Sequence, residues 1–437
     1  MCWKKNKDNR EQMENMNIRS AHMDWRLPLS DGDLLDEKMD QDIRQCGNPD
    51  ALKSAMDSLG FAVDIKEVSV GPRVTNYELT PHPGIKVSDI FDIFIDLQLA
   101  LAAESVRFIA PVPGKKTIGV EVPNEKSRVV SMREIVSSEE FECFGGDIPV
   151  PLGIGVFNNV VVEDLTKLQH LFMAGKVGAG VSVCLDSILN GILFKCRPED
   201  VRLLLIDPKI VMLSPYNGIP HLMHPVITNS QQGVSALRWA FYEMKRRLEI
   251  LSEHGLKSIE AYNDYVKAQM DRADDEKMEE IPRIVIVISD LADLMMESGK
   301  RVEDILCRLL RQSADCGIHL IVSTQRLSKD VITGNIKVYI RARIAFSTMT
   351  EHDSRLILDR NGAEDLVGRG DMLFMRDGYE EPQRIQGVFV SDNESMRVID
   401  YWKKQTGGSF YDESFIEWIK QPQTEDAVTT ACEYEEQ

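Results

Sequence analysis

Several patterns that would settle the class of this chain at once are missing from it. Eight cysteines are scattered through 437 residues, and none forms a C-x-x-C pair. Neither a disulfide framework nor a zinc site is therefore suggested, and reduced, ordinary cysteines are expected. No apolar run approaches the roughly 18 residues needed to span a bilayer. The longest buried-looking stretches, such as "IVIVI" at 284–288, have strand length. The opening "MCWKKNKDNREQMENMN" lacks the apolar core of a secretory signal, so a cytoplasmic location is expected. No internal repeat is visible. Net positive charge is absent too: the formal charge is −19. That argues against wrapping nucleic acid over the whole surface, but it leaves room for a local basic channel, because binding follows the potential at the site. Acid is concentrated at 271–280 and in the C-terminal "TEDAVTTACEYEEQ", both of which read as solvated segments.

What is present fits a soluble globular protein, with 43% hydrophobic and 28% charged residues. The length predicts two or three domains. Residues 1–47 are polar, Met-rich and aperiodic, and read as a loosely ordered lead-in. Residues 48–145 read as a small α+β domain. "DALKSAMDSLG" places Leu52, Ala55, Met56 and Leu59 on one helical face. "VGPRVTNYELTP" alternates like a strand, "VSDIFDIFIDLQLALA" returns to helical spacing, and "TIGVEVPN" is a second strand. Over 146–408 strands and helices alternate, as in a mainly parallel sheet flanked by helices. The strands are "HLFMAG", "VRLLLIDP", "PRIVIVISD", "IHLIVSTQR" and "ARIAFSTM". Helices are read at "VSVCLDSILNGILF", "GVSALRWAFYEMKRRLEILSEHG" and "VEDILCRLLRQSADCG". Residues 409–437 read as an acidic tail.

One loop stands out. In "GKVGAGVSV", Gly175 and Gly180 have the spacing of a phosphate-binding loop, G-x-x-x-x-G-K-[ST], and Ser182 closes the motif. Such a turn between strand and helix offers backbone N–H groups to phosphate at a helix N-terminus. Its lysine position is Val181. Alone, the loop reads equally well as a tight turn of any α/β domain.

Longer stretches decide between these readings. "VRLLLIDPKIVMLSPYNGIPHL", "IPRIVIVISDLADLMM", "GIHLIVSTQRLSKDVITGNIKVYIRARIAF" and "DSRLILDRNGAEDLVGRGDMLF" resemble the FtsK/SpoIIIE family of DNA translocases. "VGPRVTNYEL" and "VPGKKTIGVEVPN" resemble that family's smaller α-domain. The resemblance covers about residues 50 to 405. It implies a RecA-like P-loop NTPase core that binds ATP and Mg²⁺ and forms a hexameric ring around double-stranded DNA. The family usually adds a membrane region before this core and a winged-helix domain after it. Neither is read here, so membrane anchoring and sequence-directed loading are not expected of this chain.

The resemblance assigns nucleotide contacts to Gly175, Lys176, Val177, Gly178, Ala179, Gly180, Val181, Ser182 and Val183, with Ser182 as the Mg²⁺ ligand. It assigns catalytic roles to Asp290 and to the γ-phosphate-sensing Gln325. Three positions depart from it. Val181 stands where the family has the phosphate lysine. Ser289 stands where the metal-holding Asp of the Asp-Glu pair belongs, leaving Asp290 at the Glu position. Ala314 stands where a trans-acting arginine finger is expected. Lys176, Asp290 and Arg311 are the nearest substitutes. Phosphoryl transfer depends mainly on positioning and electrostatics, so three lost charges predict weak or absent hydrolysis. The alternatives are an active translocase with rearranged residues, or a regulatory subunit in a ring with intact paralogues. Arg326 and Lys337 match pore-loop positions that grip DNA phosphates in the family, whereas Glu351 would oppose them. His221 and His224 lack a third ligand and read as ordinary histidines; Cys184 and Cys196 read as packing residues.

Overall fold

The computed structural model describes residues 34–36, 48–112, 114–210, 212–270, 278–406 and 411–420. The lead-in before 48 and the acidic run 271–280 therefore fall largely outside the described residues. No helix among those described is long and apolar enough to cross a membrane.

The small domain is a four-stranded antiparallel sheet in the order β1-β2-β4-β3. Its strands are β1 (Val63–Val70), β2 (Val74–Pro81), β3 (Arg107–Ile109) and β4 (Ile118–Pro123). Helix α1 (Pro49–Ser58) begins at Asn48, whose side chain accepts from the Ala51 amide, and it buries Leu52, Ala55 and Met56 as its spacing predicts. β1 is an edge strand with only Val63 buried, so its hydrophobic signal is weak. The run 87–102 is two short helices, α2 (Val87–Asp92) and α3 (Phe94–Ala100), and not one. Ile90 and Leu97 anchor them in the core while Ile95 and Leu99 stay exposed.

Among the described residues, nine strands form the large sheet, in the order β6-β5-β13-β12-β11-β7-β10-β9-β8. Five are parallel: β11 (Ala342–Phe346), β7 (Leu171–Ala174), β10 (Ile318–Thr324), β9 (Arg283–Ile288) and β8 (Val201–Ile206). All five coincide with strands read from apolar runs, because a strand covered on both faces is apolar throughout. Four antiparallel strands extend this core: β12 (Asp371–Met375), β13 (Gln383–Gly387), β5 (Pro149–Gly155) and β6 (Val160–Asp164). Their sequences hide them. "PVPLGIG" carries two prolines and two glycines, and "QRIQG" carries one apolar side chain.

Helix α4 (Val181–Lys195) is apolar almost all round and largely buried, as suits a helix enclosed by the fold. Helix α5 (Ser230–Glu253) packs against α6 (Leu291–Gln312), which kinks at Ser298. α6 therefore starts earlier than expected and also ends earlier, so Ala314 lies in the turn beyond it. Helix α7 (Asp392–Thr406) buries Trp402, whose indole N–H donates to the Leu193 carbonyl. The expected acidic tail departs from plan at Glu413–Lys420, which is a helix, α8. Phe415 is fully buried against Trp239, and Trp418 donates to the Ser235 carbonyl. The apolar i, i+4 pair Phe415 and Ile419 accounts for this docking.

A buried charge cluster joins the two sheets. Arg384 in β13 makes a two-pronged pair with Asp371 at 2.7 and 3.0 Å and reaches Glu121 of the small domain at 2.9 Å. All three side chains are at most 3% exposed, and the two carboxylates hold the guanidinium firmly in its charged form. Removing the cation leaves Asp371 with no ion pair among the described residues and Glu121 with only Arg107, at 3.5 Å. Arg384→Met should therefore cost about 3–5 kcal/mol in denaturant melts, and Glu121→Gln clearly less. Equal effects would contradict the geometry.

Three buried histidines set the response to acid. Burial pushes His170 and His221 down to about 3 and His319 to about 4. The folded chain keeps them neutral, while the unfolded chain takes up protons below about pH 6.5. The stability they support is complete above that value and is lost as pH falls toward 3–4. At pH 5 the loss is about 2 kcal/mol per histidine. A denaturation midpoint that stays flat from pH 7 to 5 would contradict this.

Candidate nucleotide site

The carboxyl ends of the parallel strands gather polar residues at one edge, where open α/β sheets bind ligands. The glycine loop follows β7, Asp207 follows β8, Ser289 and Asp290 follow β9, Gln325 follows β10 and Ser347 follows β11.

The loop is shaped by main-chain contacts. The Lys176 amide donates to the Ser347 carbonyl at 3.0 Å, and the Ala179 carbonyl accepts from the Gly370 amide at 2.8 Å. Gly178 and Gly180 adopt left-handed φ values of 79° and 121°. A Cβ on Gly180 would lie 2.7 Å from the Gly370 nitrogen, so that glycine is required by close approach. Gly175 likewise meets Phe346. These contacts fix the main chain of the loop at the start of α4, the kind of position where helix N-termini favour phosphate. Val177 is exposed, Lys176 is half-buried at the entry of the loop, and Val183 is half-buried in the first turn of α4. Val181 is 3% exposed and packs in the hydrophobic core. At the lysine position this chain therefore offers an apolar contact and no charge.

Ser182 and Gln325 are brought together: the Gln325 amide lies 3.4 Å from the Ser182 hydroxyl. Ser289 and Asp290 are not. These neighbours follow the last residue of β9 and find their partners on different neighbouring segments. The Ser289 hydroxyl donates to Asp207 Oδ1 at 2.8 Å, on the β8 side. Asp290 turns to the β10 side, where Thr324 donates to Oδ1 at 2.9 Å, and the same oxygen caps α6 through the Ala292 amide. Its other oxygen holds Lys209 Nζ at 2.5 Å. That hydrogen bond raises the Lys209 pKa above its ordinary value. Asp293 lies 4.0 Å from the same ammonium, and burial, then the Asp290 charge, push its carboxyl upward. Asp290 thus has protein partners on both oxygens.

This donor set does not suit a resident magnesium ion. Ser182 supplies one hydroxyl at the loop, the carboxylate of Asp290 is occupied by an ammonium, and no metal-holding cluster of three His, Cys, Asp or Glu occurs among the described residues. Ala314 and Arg311 precede β10, whereas Gln325 follows it. β10 has seven residues, so roughly 20 Å separates them from the loop. Neither serves the loop of its own chain.

Arg326 is half-exposed and paired with Asp330 at 2.9 Å. Lys337 is mostly covered and held by Asp359 at 2.5 Å, in a cluster with Arg343. Glu351 pairs with Arg355 at the start of its helix. His221 is buried on the Cys196 carbonyl, edge-on to Trp402, and His224 faces Pro225 and Phe415. Cys184 and Cys196 are buried thiols, with Cys184 pushed up to about 12 by burial. Sequence reasoning missed Asp207, Lys209 and Thr324 as parts of the site. The signal was available: "IDPK" directly follows an apolar strand at the ligand edge of the sheet.

Comparison with known proteins agrees with this geometry. The model of the FtsK/SpoIIIE family matches residues 131–329, and that of the FtsK alpha domain matches 30–124. The DNA translocase FtsK of Clostridium acetobutylicum is 45% identical over 369 residues, covering 84% of this chain and 47% of its own. The DNA translocase SpoIIIE of Bacillus subtilis is 44% identical over 373 residues, covering 85% and 47%. This chain thus spans about half the length of the curated relatives it matches. Among solved structures, the pCW3 conjugation coupling protein TcpA superposes with a TM-score of 0.55 at 22% identity, over 80% of this chain and 98% of that one. The cytoplasmic domain of the Type VII secretion ATPase EccC of Thermomonospora curvata gives 0.51 at 21%, over 64% and 33%. At those identities the likeness speaks for the P-loop ATPase fold alone. A P-loop core with a small domain packed on it, matched along its length by these relatives, leads to one assignment: the chain belongs to the FtsK/SpoIIIE family.

Proposed function

We propose that this chain is a DNA-binding motor-domain protein that binds ATP at 175–183 and hydrolyses it weakly or not at all. The observation that carries this reading is the state of Asp290. The carboxylate nearest the catalytic position accepts from Thr324 and Ala292 on one oxygen and pairs with Lys209 on the other. These bonds leave it less free to polarise an attacking water. Val181 and Ala314 remove the two cations that would offset charge on the transferring phosphoryl group, each a major contribution in such reactions. The same engagement weighs against an active enzyme in which Asp290 takes a new role.

Nucleotide is held by the loop amides and Ser182, with Gln325 beside it. Magnesium binds weakly. DNA is gripped through phosphates, with Arg326 contributing more than Lys337, because the former is more exposed and its pair with Asp330 is surface-screened. The chain works in a ring, either of six copies or mixed with intact paralogues in the cytoplasm. In a mixed ring Ala314 would also leave a neighbour's site without its finger.

Val181→Lys should tighten ATP binding about tenfold or more, since a charge-assisted bond contributes about 1.5–3 kcal/mol. Hydrolysis should stay near background until Ser289→Asp and Ala314→Arg are added. Full turnover in the single variant would contradict the reading. For DNA, the slope of log affinity against log salt should fall by about one in Arg326→Ala. It should change less in Lys337→Ala; equal changes would remove the distinction between the two residues.

A further inference from the structure

We infer that Arg73, a small-domain residue, is a positioning residue for the phosphate loop of the large domain. The link runs through the turn 367–371, "VGRGD". Three consecutive residues of this turn, Gly368, Arg369 and Gly370, have left-handed φ values of 84°, 51° and 91°. For the arginine that conformation carries a cost and persists only where the surroundings enforce it.

Arg73 is part of what enforces it. Its Nη2 donates to the Gly368 carbonyl at 2.8 Å, and its Nε donates to Gln386 Oε1 at 3.2 Å. Gln386 in turn donates through Nε2 to the Arg369 carbonyl at 3.1 Å. The two strained carbonyls are therefore held from the small domain, one directly and one through a single side chain. The next residue, Gly370, donates its amide to Ala179 inside the phosphate loop and accepts from the Gly387 amide at 2.7 Å. A Cβ on Gly180 or on Gly387 would clash with the Gly370 main chain, and one on Gly370 would meet the Gln386 side-chain amide at 2.9 Å.

The far end of the turn is fixed as well. Asp371 accepts from the Val367 amide at 2.9 Å and is clamped by Arg384, which bonds Glu121 of the small domain. No bond in the path from Arg73 to Ala179 exceeds 3.2 Å. A shift of the small domain by one ångström must therefore move the turn, break these bonds or move the phosphate loop. Arg73 touches no part of the loop itself. It acts through 368–370.

The test uses the full chain and two readouts. In Arg73→Ala, amide hydrogen exchange of a peptide covering 175–181 should speed at least fivefold. Arg73→Lys, with one donating group in place of a fork, should fall between. Arg128→Ala is the control: its guanidinium lies at the same domain junction but bonds Glu134 and Asn158. It should leave exchange in the loop unchanged. Unchanged exchange in Arg73→Ala, or equal speeding in Arg73→Ala and Arg128→Ala, overturns the inference. ADP titration by calorimetry adds the functional arm, which rests on the nucleotide reading above: Arg73→Ala should weaken ADP at least threefold. Equal ADP affinity in the two chains overturns the inference. A parent chain that binds no ADP sinks the nucleotide reading instead, and the exchange result then decides the role of Arg73 alone.

Discussion

The structure depends on a main-chain contact: the Ala179 carbonyl in the glycine loop accepts from the Gly370 amide while the Lys176 amide donates to Ser347. These bonds pin the loop between two segments that lead into and out of neighbouring strands. They need no particular side chain beyond glycines small enough to permit the approach. The loop can therefore lose its lysine and keep its shape. Val181 exploits this, because its side chain joins the core beneath the loop. The fold of this loop thus rests on main-chain contacts, with an apolar side chain at position 181.

Side-chain bonds likewise hold the ends of β8, β9 and β10. Asp207 is satisfied by Ser289 and by the amides of Met212 and Leu213. Asp290 is satisfied by Thr324, Ala292 and Lys209. In a low-dielectric cleft an unpartnered carboxylate is costly, and each of these two has acquired protein partners. Each of the two thus helps to tie neighbouring strand ends together by protein hydrogen bonds.

Much of this was legible in the sequence, for a physical reason. Buried parallel strands must be apolar throughout, so all five stand out as runs. The glycine spacing of the loop and the divergence of Ser289 from Asp290 follow from local geometry, whereas Gln325 was placed by family resemblance and its contact with Ser182 is long-range. Among the antiparallel strands, β5 was hidden by its prolines and glycines around a bulge, and β13 by having a single apolar side chain. The helix at Glu413–Lys420 was hidden because its apolar face is only Phe415, Ile419 and a flanking tryptophan inside an acidic stretch. The partners of Asp290 and of Lys337 were hidden because an ion pair between residues far apart in sequence leaves no periodic trace. The link from Arg73 to the loop was hidden for the same reason: every step crosses between distant segments.

The central claim is that a retained cradle without its charges no longer drives phosphoryl transfer. Steady-state phosphate release by the unmodified full chain, with ATP, magnesium and linear duplex DNA, addresses it most directly. The account predicts release at or barely above that of a protein-free control. Turnover at about one per second or faster, within the ordinary range of enzymes, would contradict it.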